Sequence, residues 1–291
     1  MTRPRALLAL HAAVLLFGFA GLFGRWLDLS PSLIVLGRTT VAAAVLAMVR
    51  LRGPARSPLD ATMAVNGAVL ALHWVSFFAA IQAAGVAIGL LGFASFPLFT
   101  LVLERWLLGR RWRAADAATA FAVAGGLALL VPEPSLANHA VQGLAWGVAS
   151  GFAFALLAVR NRGLAPDRSA IDLAFGQNLW AAAFLLPLVV WSGGPSAIGA
   201  RDIALLLVLG VACTALAHTL FIAALAGVAA VTAATVAALE PVYGIALAAL
   251  LLGETPELRT LAGGAVIVGA AIAASRRAGE AASIGAAGAN R

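Results

Sequence analysis

Charged and polar side chains set deep inside long apolar runs are where this sequence could do chemistry. Arg38 lies about six residues into one such run, or about 9 Å below one membrane face if the run is a helix rising 1.5 Å per residue. Glu240 lies about twelve residues into a later run, about 18 Å from the other face. A charge within hydrocarbon is costly and by default marks a functional site. Each also has a structural reading. Arg38 could snorkel to the nearer interface, and Glu240 could cap backbone opened by Pro241 or act in proton coupling. If the two runs cross in opposite senses, Arg38 and Glu240 come to about 9 and about 12 Å from the same face of a 30 Å core. That placement predicts a direct ion pair or a shared polar network.

The remaining polar candidates are neutral. His73 and Trp74 fall near the middle of a third run, and His218 sits in an eighth. Gln177 and Asn178 fall near one end of a seventh, where their amides need partners on a neighbouring helix or a substrate. Tyr243 follows Glu240 by three positions and so shares its helix face. Phe77, Phe78, Phe93, Phe96 and Phe99 could line an apolar cavity or simply pack. Ser150 and His218 suggest a nucleophile and base, but their depths of about 15 and about 24 Å from one face keep them apart. An intramembrane hydrolase is therefore a poor reading, and the chain is not expected to be an enzyme.

These residues need apolar helices to hold them. Of the 291 residues, 63% are hydrophobic and 11% charged, with a mean hydropathy of +1.00. Water-soluble domains carry about 25% charged residues, so this composition excludes an ordinary soluble protein and a disordered one. Ten apolar runs are each close to the length of about 20 residues that crosses a bilayer: Ala6–Phe23, Ser32–Val49, Ala61–Ile81, Val86–Leu103, Ala114–Val131, Ala140–Val159, Asp172–Trp191, Asp202–Ala223, Val228–Leu252 and Leu258–Ser275. Hydrocarbon demands internal satisfaction of every backbone polar group, so the runs should be helices. The first is longer than a signal-peptide core and is read as an uncleaved span. The stretch 278–291 is read as a disordered cytoplasmic tail.

All nineteen basic residues are Arg. With the N-terminus inside, fifteen fall on the cytoplasmic side, Arg25, Arg201 and Arg259 outside, and Arg38 within a span. This bias predicts that both termini are cytoplasmic. It also explains the pI of about 11.4 through anionic lipid rather than nucleic acid. The single cysteine, Cys213, has apolar neighbours and is expected to pack as a small hydrophobe. Its isolation leaves no disulfide, and no metal-ligand spacing exists. Gly18, Gly21 and Gly24, and Gly85, Gly89 and Gly92, recur at helical spacing and should let helices approach closely. No nucleotide-binding or other cofactor motif is present.

The chain also repeats itself. Phe96-Pro97-Leu98, Leu107-Leu108-Gly109 and Gly125 recur as Glu240-Pro241-Val242, Leu251-Leu252-Gly253 and Gly269, always 144 residues later (241 − 97 = 253 − 109 = 269 − 125 = 144). Each half holds five runs, an odd number, so two copies would sit in opposite orientations. Inverted repeats of this kind are typical of secondary transporters, whose substrate site lies near midplane between the copies.

On these residues the chain resembles the drug/metabolite transporter superfamily, specifically its EamA-type transporters of ten helices. Phe17-Gly18, Ser30-Pro31 with Arg38, Pro97, Pro241, the run Leu251–Glu254, Gly263 and Gly269 carry the likeness. Within the superfamily the chain looks most like bacterial exporters of aromatic and other neutral amino acids. The resemblance implies an all-α integral membrane protein of two inverted five-helix repeats, residues 1–135 and 136–277. It implies a multi-pass protein of the bacterial inner membrane with lipid and a small-molecule substrate as partners and no cofactor. Export would proceed by alternating access through a central cavity. His73, Trp74, Phe77, Phe93, Gln177, Asn178, His218 and Tyr243 would contact substrate. Arg38, Glu240, Pro97 and Pro241 would gate or couple. The halves differ where Arg110 faces Glu254 and where Gly37-Arg38 faces Gly176-Gln177.

Overall fold

The computed structural model describes residues 3–52, 59–108, 114–130, 138–164, 168–193, 198–225 and 236–289, which are helical with short turns and contain no strand. The helices are α1 (Arg3–Trp26), α2 (Pro31–Leu51), α3 (Ala61–Phe93), α4 (Phe96–Leu108), α5 (Ala114–Leu129), α6 (His139–Leu164), α7 (Ala170–Trp191) and α8 (Ala200–Gly210). A π-helical turn (Val211–Leu216) leads into α9 (Ala217–Leu225), followed by α10 (Glu240–Leu252) and α11 (Leu258–Ala289). The last helix thus runs through most of the stretch read as a disordered tail; the tail's Ala-rich composition favours helix.

Helix starts follow their capping residues. Ser30 Oγ accepts from the Leu33 amide at 3.4 Å with Pro31 as the first helical residue, and Ser169 Oγ accepts from the Asp172 amide at 3.1 Å. Asp60 Oδ1 accepts from the Met63 amide at 3.1 Å. Each cap satisfies one of the amides that a helix start leaves open.

Gly85 divides α3. Its φ of +84° and ψ of 171° lie outside the helical region and where side chains other than glycine are strained. A Cβ on Gly89 would strike Ile81, eight residues earlier. Those two positions lie about 12 Å apart in a straight helix, so the chain doubles back at Gly85. The arm that follows, Val86–Phe93, starts where the fourth apolar run starts. A turn at Ala94–Ser95 then separates it from α4.

Among the described residues six helices are long and apolar enough to cross a membrane: Pro4–Trp26, Pro31–Leu51, Ala61–Phe93, which includes the reversal at Gly85, His139–Asn161, Ala170–Trp191 and Ala200–Phe221. Helix length thus marks six where hydropathy marked ten runs. The fourth run is cut by the turn at 94–95, and the ninth begins outside the described residues. The shorter apolar helices are Ala114–Leu129, Glu240–Leu252 and Leu258–Ala273. Trp106, Phe121, Leu250, Leu258 and Trp191 are 79–92% exposed. Apolar side chains so exposed on a helical surface suit contact with lipid rather than water.

Element boundaries recur at the repeat's own spacing. α4 and α10 are both 13 residues long and begin 240 − 96 = 144 residues apart; α5 and α11 begin 258 − 114 = 144 apart. The turn at 94–95 recurs at 238–239. The capping serines of α2 and α7 depart from that spacing by five residues, at 169 − 30 = 139. Packing follows suit: α2 lies on α7, α5 on α11, α4 on α6 and α10 on α1. Exchanging the halves turns α4 on α6 into α10 on α1 and maps the other two pairings onto themselves.

Candidate functional site

The centre of the site is a buried guanidinium. Arg38 is 2% exposed and does not snorkel. Its Nε donates to Thr214 Oγ1 at 3.0 Å, and Thr214 Oγ1 donates to the Leu209 carbonyl at 2.8 Å, five residues back. This hydroxyl bond lies across the π-helical turn Val211–Leu216, a local widening often found at functional sites. Gly210 supports it by letting α8 approach Val41 and the Arg38 carbonyl, with no side chain between. The guanidinium carbon lies 3.9 Å from the centroid of Trp74 and 5.6 Å from that of Phe78. Both rings are well placed for cation–π attraction, which strengthens where the cation is desolvated.

The expected direct ion pair with Glu240 does not form. Among the described residues no carboxylate lies within ion-pairing distance of Arg38. The reason is helix placement: α2 packs on α3, α7 and α8, whereas α10 packs on α1 and α3. Glu240 opens α10 after the turn at 238–239, half-buried, with its carbonyl against Gly18 of α1. Pro241 is buried beside it, and Pro97 holds the matching second position of α4.

Aromatic rings extend the site on both sides. Trp74 faces His218 at 5.7 Å between centroids, and the two are 218 − 74 = 144 residues apart. They are therefore repeat-related positions that meet each other. His218 also touches Phe17 at 5.5 Å, and Phe17 touches Phe221 at 5.9 Å. His73 turns the other way, 5.4 Å from Phe93 and 5.3 Å from Phe154, with Phe77 at 6.2 Å. Its Nδ1 lies 2.8 Å from Ser150 Oγ and 3.1 Å from the Ser150 carbonyl. The serine–histidine contact is thus Ser150 with His73, not with His218. Tyr243 hydroxyl and His11 Nδ1 share a hydrogen bond of 2.7 Å that ties α10 to α1. Neither Thr214 nor His11 was singled out from the sequence.

Gln177 and Asn178 lie elsewhere. Gln177 Nε2 donates to Asn161 Oδ1 at 2.7 Å, which also accepts from Asn66 Nδ2 at 3.0 Å, while Asn66 Oδ1 accepts from Arg160 Nε at 2.6 Å. Asn178 Nδ2 donates to the Ala174 carbonyl within its own helix at 2.8 Å, and its Oδ1 is buried without a partner among the described residues. This network ties α3, α6 and α7 near one end of the bundle. Arg50–Asp172 and Arg168–Asp60 ion pairs, both at 2.5 Å, flank it. The hydrogen bond from Arg168 holds the Asp60 carboxyl below its ordinary value of 3.8, with the Met63 amide adding to the effect.

At the opposite end, Glu254 joins three segments. Its Oε1 pairs with Arg25 at 2.8 Å, and its Oε2 accepts from the Val86 amide at 2.9 Å, the first amide after Gly85. Gln82 Nε2 donates to the Leu29 carbonyl at 2.9 Å beside a cavity of ≈ 640 Å³ lined in part by Arg25, Asp28, Gln82 and Arg201. Arg110, 144 residues before Glu254, lies outside the described residues.

Residues 141–276 match the model of the EamA-like transporter family, 136 of the 291 residues. No curated protein matches the chain. One solved structure, described only as the crystal structure of a protein, is similar over 96% of this chain and 99% of its own. Its TM-score is 0.66 and its identity 23%, a likeness of fold. The second half of the chain thus carries the EamA-like match, which supports the resemblance to the drug/metabolite transporter superfamily, and the six apolar helices are those of a multi-pass membrane protein.

Proposed function

We propose that this protein is a secondary transporter that exports small neutral or zwitterionic metabolites, foremost amino acids including aromatic ones. It works by alternating access between two inverted five-helix repeats, residues 1–135 and 136–277, in a bacterial inner membrane with both termini in the cytoplasm. The family match over residues 141–276 carries the reading. The recurrence of helix boundaries at 144 residues extends it to the first half.

In this reading the substrate lies between the halves where Trp74 meets His218. Phe77 and Phe93 form one apolar wall, with His73 held between them by Ser150. Half-buried Phe17, Phe221 and Tyr243 form the other. Such a site is mostly apolar with a few placed polar groups, as small-molecule sites generally are. The turns before Pro97 and Pro241 let α4 and α10 change angle, while Glu240 sits at the second hinge. The network of Gln177, Asn161 and Asn66 closes the cytoplasmic end, with Asn178 beside it, and Arg25–Glu254 closes the other.

Counterflow tests the reading. Proteoliposomes loaded with unlabelled L-phenylalanine or L-leucine should transiently accumulate the external labelled form several-fold over protein-free vesicles. Vesicle-level signals across the twenty amino acids would overturn amino acids as the substrate class. Accumulation of a cationic dye instead would make the protein a drug exporter.

A further inference from the structure

We infer that Arg38 is the docking point for the carboxylate of the transported molecule, so that the substrate class is carboxylate-bearing rather than merely small and neutral; this rests on the transport reading above.

A guanidinium carries five N–H donors in a planar fork. Arg38 uses the one on Nε, toward Thr214. Its terminal nitrogens make no hydrogen bond among the described residues and keep a small open surface, since the fully sealed polar atoms without a partner there are Ser76 Oγ, Asn178 Oδ1 and Trp180 Nε1. Buried polar groups in folded proteins are nearly always hydrogen-bonded, and a buried charge is kept when it is paired or functional. This one lacks an ion-pair partner in the described structure. The unmet need is two parallel N–H bonds pointing the same way, which a carboxylate meets with two oxygens.

The surroundings fix the direction of approach. Trp74 covers the guanidinium face at 3.9 Å, with Phe78 at 5.6 Å, and Thr214 takes the Nε edge. What remains is the terminal edge of the fork. The Trp74 ring that holds Arg38 also contacts His218 at 5.7 Å. A carboxylate on the fork would therefore leave the rest of its molecule beside the Trp74–His218 contact, among apolar and aromatic walls. One fixed cation, with no second arginine in contact among the described residues, suits a monoanionic group. A phosphate, with nearly two charges, calls for more donors than this site gathers.

The test uses the purified full-length protein and an analogue ladder: L-phenylalanine, 3-phenylpropionate, L-phenylalaninamide, phenethylamine and phenyl phosphate. Binding is read by competition against labelled L-phenylalanine and by ligand-induced shifts in thermal unfolding. A hydrogen bond to a charged group contributes about 1.5–3 kcal/mol, or about 10–100-fold in affinity. L-Phenylalanine and 3-phenylpropionate should therefore bind at least about tenfold more tightly than the amide and the amine. Arg38→Gln should remove that preference, leaving acid and amide alike, and Arg38→Lys should keep only part of it. Because the wild-type ladder needs no variant to fold, it stands by itself if Arg38→Gln does not.

Equal binding of acid and amide by the wild type would overturn the inference, as would a carboxylate preference that survives in folded Arg38→Gln, or a preference for phenyl phosphate. Counterflow of the amide at the rate of the acid would sink the docking role while leaving transport intact. Tight, Arg38-dependent binding of 3-phenylpropionate with no amino-acid counterflow would do the reverse.

Discussion

Gly147→Val is expected to abolish transport and to lower the thermal unfolding temperature of the detergent-solubilised protein by several degrees. A Cβ at Gly147 would lie 2.9 Å from Gly92 Cα and 3.0 Å from the Gly89 carbonyl oxygen, and one at Gly92 would lie 3.0 Å from Gly147 Cα. All these neighbours are backbone, so no side chain can swing aside. The helices must separate, and α6 is the helix that carries Ser150 to His73. Forcing a group into a packed contact typically costs about 1–3 kcal/mol. Small residues are what let membrane helices approach this closely. Gly147→Ala should show the same defects in milder form. Wild-type unfolding and counterflow in Gly147→Val would mean that α6 and the Val86–Phe93 arm are not in backbone contact.

Trp74→Ala should be nearly as damaging, for a different reason. The ring is 5% exposed, covers the Arg38 guanidinium at 3.9 Å and meets His218 at 5.7 Å. Truncating a packed Trp to Ala costs about 3–5 kcal/mol in protein cores, and here it also uncovers a buried cation. Trp74→Phe keeps a ring and should lose only the difference between two cation–π contacts, at most about 1–2 kcal/mol. Thermal unfolding should rank the proteins wild type, Trp74→Phe, Trp74→Ala. Counterflow should fall in the same order. If Trp74→Ala transports normally, the Trp74–His218 contact is packing alone and the substrate lies elsewhere.

The parts legible in the sequence are those set by local chemistry. Ser30-Pro31 announces a helix start because the cap is local, and the hydrophobic runs give helices because hydrocarbon leaves little else. The 144-residue recurrence at Pro97 and Pro241 anticipates the paired turns and the equal lengths of α4 and α10. Gly85, Gly89 and Gly92 read as one small-residue stripe. They prove to have different tasks, since Gly85 reverses the chain while Gly89 and Gly92 admit close neighbours. The illegible parts depend on how helices rotate against one another. Arg38 and Glu240 have compatible depths, but depth does not say which helix face each occupies, and α1 and α8 decide that. Thr214 gains its role from a π-turn that no residue in Val211–Leu216 announces. His11 and Tyr243 are 232 residues apart, and only the packing of α1 on α10 joins them.

The central claim is that the two halves cross the membrane in opposite senses around the contact of Trp74 with His218. Side-specific thiol labelling tests it most directly. Cys213 is the sole cysteine and is fully buried, so its replacement by Ala gives a silent background. Single cysteines at Arg52, which follows α2, and at Arg201, which opens α8, both stand at exposed positions. An impermeant maleimide should label Arg201→Cys on intact cells and Arg52→Cys only after the membrane is opened. Labelling of both from the same side would contradict the inverted arrangement and the shared central site built on it.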